Sequence, residues 1–157
     1  MSEGEMKRDR YGHGWKVKLS VITQAARTLG IAGPINVCVT GRMHASTLGA
    51  FDGEKDGVWG IYLDRYLTPR QASLTLWHEL VHVAQAERAG GMVELDKRFD
   101  RERRAGRLDG PRPLKFFRLR AYHNLPLERE AEDMAQAIHR ELPLATETSA
   151  ARIWWPW

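Results

Sequence analysis

Two histidines and a glutamate stand together in His78-Glu79-Leu80-Val81-His82. Helix positions four apart share a face, so both imidazoles can reach one metal ion while the helix fixes their separation. Glu79 lies one step around, near enough to polarise a water on that ion without taking a coordination position. This arrangement offers hydrolysis. Zinc lowers the pKa of its water to about 7 and polarises a carbonyl; the carboxylate takes the water's proton and hands it to a leaving amine. Leu76, Trp77, Leu80, Val81, Val83 and Ala84 surround the motif, as expected of a helix crossing a core. Two imidazoles and a carboxylate in such company are costly unless something satisfies them.

A catalytic zinc takes three protein ligands and keeps one position open, so a third ligand must come from elsewhere in the chain. The segment Leu125-Pro126-Leu127-Glu128-Arg129-Glu130-Ala131-Glu132 opens a helix in which Glu128 and Glu132 share a face. Ala131 and Ala135 lie close to that face and are small enough to let it approach another helix. Glu130 points away from Glu128 and reads as a solvated residue of an acidic first turn, which the helix dipole favours. His123 is the rival third ligand.

The elements that must position these groups follow from pattern. Thr68-Pro69-Arg70-Gln71 supplies an N-cap, a proline at the first helical position and a glutamine placed to close a capping box. The helix it starts runs to about Arg88, where Gly90-Gly91 ends it. A helix over Trp15–Leu29, a buried strand over Ile35–Thr40 and a strand over Val58–Leu63 come before it, the last entered by a turn at Asp52–Gly57. Gly41 to Gly49 carries no clear pattern. Residues 91–120 are charged and broken by Gly106, Gly110, Pro111 and Pro113, and read as a basic insertion with partial helix at best. A last helix, with Pro126 in its first turn, extends to about Leu142. Residues 1–14 read as a mobile N-terminal arm, 15–142 as one domain and 143–157 as a tail carrying Trp154, Trp155 and Trp157, packed against that domain.

His78-Glu79-Leu80-Val81-His82-Val83-Ala84-Gln85, followed by Tyr122-His123-Asn124-Leu125-Pro126-Leu127-Glu128-Arg129-Glu130-Ala131-Glu132, resembles the gluzincin metallopeptidases, above all their small, minimal members. The resemblance covers about residues 57–140. It implies an α+β, zincin-like fold: a small mixed sheet, an active-site helix beneath it and a glutamate helix packed against that. It also implies one Zn2+ per chain held by His78, His82 and Glu128, and Glu132 as the residue orienting a ligand histidine. Val58–Leu63 becomes the rim strand against which an extended substrate pairs, and Tyr122 or His123 an oxyanion-stabilising group. The basic insertion is not part of the minimal pattern.

The implied activity is a metalloendopeptidase acting on protein or peptide. Two alternatives stand beside it. The SprT-like crosslink proteases, which act on nucleic-acid-bound proteins, usually take a histidine as third ligand and so call for His123. A metal-stabilised binding module would need no turnover. Charge bears on this choice. The chain carries a formal net charge of +4, and the excess concentrates between Lys97 and Arg120, where Asp100, Glu102 and Asp109 are the only acids. Such a block is a solvated surface or a recognition site for acidic protein or nucleic acid, with Phe116, Phe117 and Tyr122 as stacking partners in the latter case. No apolar run reaches the ~18 residues of a membrane span. Met1–Arg10 lacks a signal-type apolar stretch, and Cys38 is the single cysteine. The expected compartment is therefore the cytoplasm. Cys38 reads as a buried thiol, and His13, His44 and His139 as ordinary histidines, His139 favoured in charged form by a helix C-terminus.

Overall fold

The computed structural model describes residues 18–40, 48–106 and 122–142. The N-terminal arm, the tryptophan tail, His13, His44, Phe116, Phe117 and the basic residues between Gly106 and Tyr122 lie outside them. The described residues form an α+β unit with a three-stranded mixed sheet and four helices. Helix α1 spans Leu19–Thr28, and strands β1, β2 and β3 span Ile35–Thr40, Gly49–Lys55 and Val58–Asp64. Helices α2, α3 and α4 span Pro69–Ala89, Met92–Ala105 and Pro126–Glu141. Among the described residues no helix is long and apolar enough to cross a membrane.

The strand order is β1-β3-β2, with β1 parallel and β2 antiparallel to β3. Strand β3 alternates strictly: Trp59, Ile61 and Leu63 are buried and their neighbours half-buried. This period-two pattern presses one face of the sheet onto α2. Three expectations change here. Strand β3 is central, so its edges already pair with β1 and β2 and cannot take a substrate strand; β2 is the strand at the sheet's edge. Strand β1 lies at the other edge, and Cys38 is half-buried rather than enclosed. The segment expected as a turn is itself mostly strand. The reversal is confined to Asp56 and Gly57, whose φ values of 54° and 77° give the twist a two-residue hairpin requires. A bulge at Asp52 shifts the register between Phe51 and Gly53.

Helix α2 is the spine. Thr68 Oγ1 accepts from the Gln71 amide at 3.2 Å, and the Gln71 side chain accepts from the Thr68 amide at 2.9 Å, closing the capping box. A box of this kind adds about 1 kcal/mol. Leu76, Trp77, Leu80, Val81, Val83 and Ala86 are fully buried. A helix apolar on so many sides must be covered on several, and the sheet, α1, α3 and α4 cover it. Two glycines then reverse the chain. Gly90 has φ 97°, and Gly91, with φ 125° and ψ 177°, occupies a region open essentially to glycine alone. Helix α3 follows at once, so residues 92–105 are a full helix rather than an irregular insertion. It packs on α2 through Leu95 and Phe99. His139, near the end of α4, lies 2.7 Å from Ser73 Oγ. Burial, with Arg70 nearby, lowers its pKa, so it favours the neutral form and not the charged one expected.

Glu87, near the end of α2, ties the helix to the sheet. Its carboxylate accepts from the amides of Ala32 and Gly33, each at 2.8 Å, and from the Trp59 indole at 2.9 Å. Burial alone would raise its pKa, but these donors outweigh it and hold the carboxyl below its ordinary 4.5. Glu87→Gln is expected to cost about 2 kcal/mol at pH 7, the scale of lost hydrogen bonds to a charged group. A carboxyl with a depressed folded-state pKa stabilises above its unfolded value and loses that contribution as pH falls through the folded one. The gap between wild type and variant in urea-unfolding midpoint should thus close below about pH 4.5. A gap constant from pH 7 to pH 3 would mean that the charge plays no part.

Candidate metal centre

His78 and His82 project from one face of α2, one turn apart, their rings edge-to-face with centroids 4.7 Å apart. Glu128 comes from the first turn of α4, which lies against α2 through buried Ala131 and Ala135. The Nε2 atoms of the two histidines are 3.1 Å apart, and the Glu128 carboxylate oxygens stand 3.2 Å from that of His78 and 3.4 Å from that of His82. Tetrahedral ligands at the ~2.0–2.1 Å of zinc–nitrogen and zinc–oxygen bonds stand about 3.3 Å from one another. The three edges match that spacing. His78, His82 and Glu128 are the group that could hold a metal ion among the described residues.

The proton inventory makes the same demand. Gln85 Nε2 donates to Leu127 O and to Glu130 Oε2, both at 2.9 Å. Both partners only accept, so the amide orientation is fixed. Gln85 Oε1 therefore faces His82 Nδ1, 2.7 Å away, and must accept a proton from it. Neutral His82 then directs the lone pair of Nε2 at the Glu128 carboxylate. Two lone pairs at this distance call for a shared proton or a cation. The titration directions agree. Burial alone would lower the pKa of His82, but Glu128 and Glu79 reverse this and raise it. Burial alone would raise the Glu128 carboxyl, but its contacts with both histidines and the Tyr122 hydroxyl hold it far below the usual range.

Glu79 sits beside this cluster. Burial pushes its carboxyl pKa up, with Glu128 adding to the rise; His82, His78 and the Phe51 backbone N–H pull the other way. A carboxylate whose pKa is raised is a better proton acceptor near neutrality. Tyr122 is 40% exposed, and its hydroxyl contacts Glu128. His123 is exposed and lines the same cleft, its ring 6.0 Å from that of Tyr122, but it is not among the converging groups. The structure thus brings together His78, His82 and Glu128, with Glu79 and Tyr122 against them.

Two site expectations shift. Glu132 is exposed, whereas Glu130, read as a solvated acid, bonds both Gln85 and, at 2.7 Å, Arg88. The support for His82 therefore runs through Gln85 and Glu130. Sequence reasoning missed Gln85, although its place three residues after His82 on a helix was the available signal. It also missed Glu102 of α3, which accepts from the Leu127 amide at 3.1 Å. Leu125 offers α4 no side-chain cap, so Glu102 satisfies one of the helix's open N–H groups from outside and steadies the turn that carries Glu128. Gln85→Leu should weaken zinc binding by about 10–100-fold, the usual cost of losing a group that orients a ligand. Glu132→Ala should leave affinity near wild type. Competition titration against a chromogenic chelator measures both, and the opposite ranking would return the supporting role to Glu132.

No protein-family model, no curated protein and no solved structure matches this chain.

Proposed function

We propose that the protein is a zinc-dependent metalloendopeptidase with a gluzincin-type, zincin-like site. The observation that carries this reading is the convergence of His78 Nε2, His82 Nε2 and the Glu128 carboxylate at 3.1–3.4 Å, with the half-buried Glu79 beside them. A zinc ion held there would supply Lewis acidity, polarising a carbonyl and bringing the pKa of a bound water towards about 7.

The chain's own residues do the rest. Gln85 and Glu130 hold His82 in the tautomer that keeps Nε2 free to coordinate. Glu128 supplies the negative charge that favours a cation over a proton between the histidines. Glu79 accepts the proton of the attacking water and returns it to the leaving amine. Ala50 and Phe51 of β2 line the cleft. An extended peptide lying along β2 would bring its backbone past Glu79. The three protein ligands leave room for water, which favours a catalytic over a closed structural site.

Metal analysis of the purified protein should find about one zinc per chain. Casein or a mixed peptide library should be cleaved with that zinc present and not after chelation. Stoichiometric zinc without any cleavage would favour the metal-stabilised binding module.

A further inference from the structure

Helix α3 forms one wall of the cleft, through Met92, Leu95, Asp96, Phe99 and Arg103. Seven residues of helix rise about 10 Å, so Asp96 and Arg103 stand about two turns apart on one wall. Phe99 lies between them, its ring 5.6 Å from that of His82. The wall therefore carries a negative residue, then an apolar one at the metal cluster, then a positive end. Arg103 is the only lysine or arginine among the described lining residues. Its neighbour Glu102 accepts from the Leu127 amide at 3.1 Å, which places this end of α3 beside the turn that carries Glu128, and Arg103 and Tyr122 line the same cleft. Its described partner is Asp100, 2.6 Å from Nη2. Both side chains are well exposed, at 42% and 53%, and an exposed pair of this kind contributes little and is easily exchanged. The pair uses one of five guanidinium N–H donors. The planar fork that remains matches a carboxylate better than any other common peptide group.

We propose that Arg103 is the specificity-determining residue of this cleft, binding a carboxylate of the peptide on the Tyr122 side of the metal cluster. The carboxylate belongs to an acidic side chain or to the peptide's C-terminus. Phe99 receives the apolar side chain next to it, and Asp96, about two turns away, repels the same carboxylate, which sets the direction of the bound peptide. This inference rests on the peptidase reading for its substrate class, but its test does not depend on turnover.

Binding is measured by fluorescence anisotropy in Glu79→Gln protein, with one equivalent of zinc and again with chelator. The probes are N-terminally fluorescein-labelled octapeptide pools built from Ala, Leu and Phe. One pool carries a single Glu in its second half and an amidated C-terminus; a second has Gln in place of Glu. A third has Gln and a free C-terminal carboxylate, and a fourth has Lys in place of Glu with the amide. The Glu pool should bind about ten-fold tighter than the amidated Gln pool, as expected of a charge-assisted, two-point contact. If the third pool holds the advantage instead, the carboxylate recognised is that of the chain terminus. Adding Arg103→Ala should bring the ratio to about one, Arg103→Lys should keep part of it, and Arg103→Glu should turn the preference towards the Lys pool. Zinc content and circular dichroism matching the parent show that the variants are folded. Equal binding of all pools, no binding of any, or a preference that survives Arg103→Ala overturns the proposal. Acid-selective binding with no pool cleaved by wild type sinks the peptidase reading and leaves the role of Arg103 standing; cleavage without selectivity does the reverse.

Discussion

Glu79→Gln is expected to keep the zinc and the fold while lowering peptide hydrolysis by about a hundred- to ten-thousand-fold, the usual contribution of a general base. The amide has nearly the size of the carboxyl, and its oxygen can still accept from the Phe51 N–H that acts on Glu79. None of His78, His82 and Glu128 is touched, so metal content should remain at about one per chain. What is lost is the ability to take a proton. Steady-state turnover of a quenched peptide, alongside metal analysis of the same preparation, reads both halves of this expectation. Turnover equal to wild type would place the chemistry outside this cluster.

The other large effect is on stability. Zinc present at a thousand times its dissociation constant should stabilise the folded protein by about 4 kcal/mol, provided that the unfolded chain does not bind it. For a domain of this size that raises the melting temperature by about 8–16 °C. The gain is expected because the folded chain already holds two imidazole nitrogens and a carboxylate at coordination spacing, so little reorganisation opposes binding. In His78→Ala, His82→Ala protein the shift should vanish and stoichiometric zinc should be lost. Scanning calorimetry with and without chelator, on wild type and the double variant, checks this. A double variant that keeps both its zinc and its shift would refute the site.

Legibility in the sequence varied with the kind of signal each element carries. Helix α2 was legible because its capping box is a local contact between Thr68 and Gln71, written within four residues. Strand β3 was legible because Trp59, Ile61 and Leu63 alternate with half-buried neighbours. Strand β2 was hidden because four of its seven residues are Asp52-Gly53-Glu54-Lys55: an edge strand can carry polar residues that read as loop. Helix α3 was hidden for a related reason. Leu95 is its one fully buried residue, and no side chain caps its start, so only packing against α2 declares it. His78 and His82 were legible through their i, i+4 spacing, whereas Glu128 stood out from Glu132 and His123 only through the gluzincin resemblance. The exchange of Glu132 for Glu130 was not legible. Glu128 and Glu130 lie about 200° apart around α4, yet both reach α2, at His78 and His82 in one case and at Gln85 and Arg88 in the other. The first turn of α4 straddles its neighbour, and no single-helix projection contains that fact.

The two-glycine reversal between α2 and α3 divides the labour of the site. The converging ligands and Glu79 belong to α2 and α4, while the cleft wall that holds Asp96, Phe99 and Arg103 belongs to α3. Between the two stand Gly90 and Gly91, in conformations that side chains resist. Other residues on the exposed and cleft-facing sides of α3 can therefore drift without disturbing the spacing of the converging groups, so long as Leu95 stays buried, Phe99 keeps its contact with His82 and Glu102 keeps its bond to Leu127. Within a lineage this arrangement would let selectivity diversify by substitutions in one short helix while the chemistry stays fixed. A change at Gly91 would instead re-aim the whole wall in a single step.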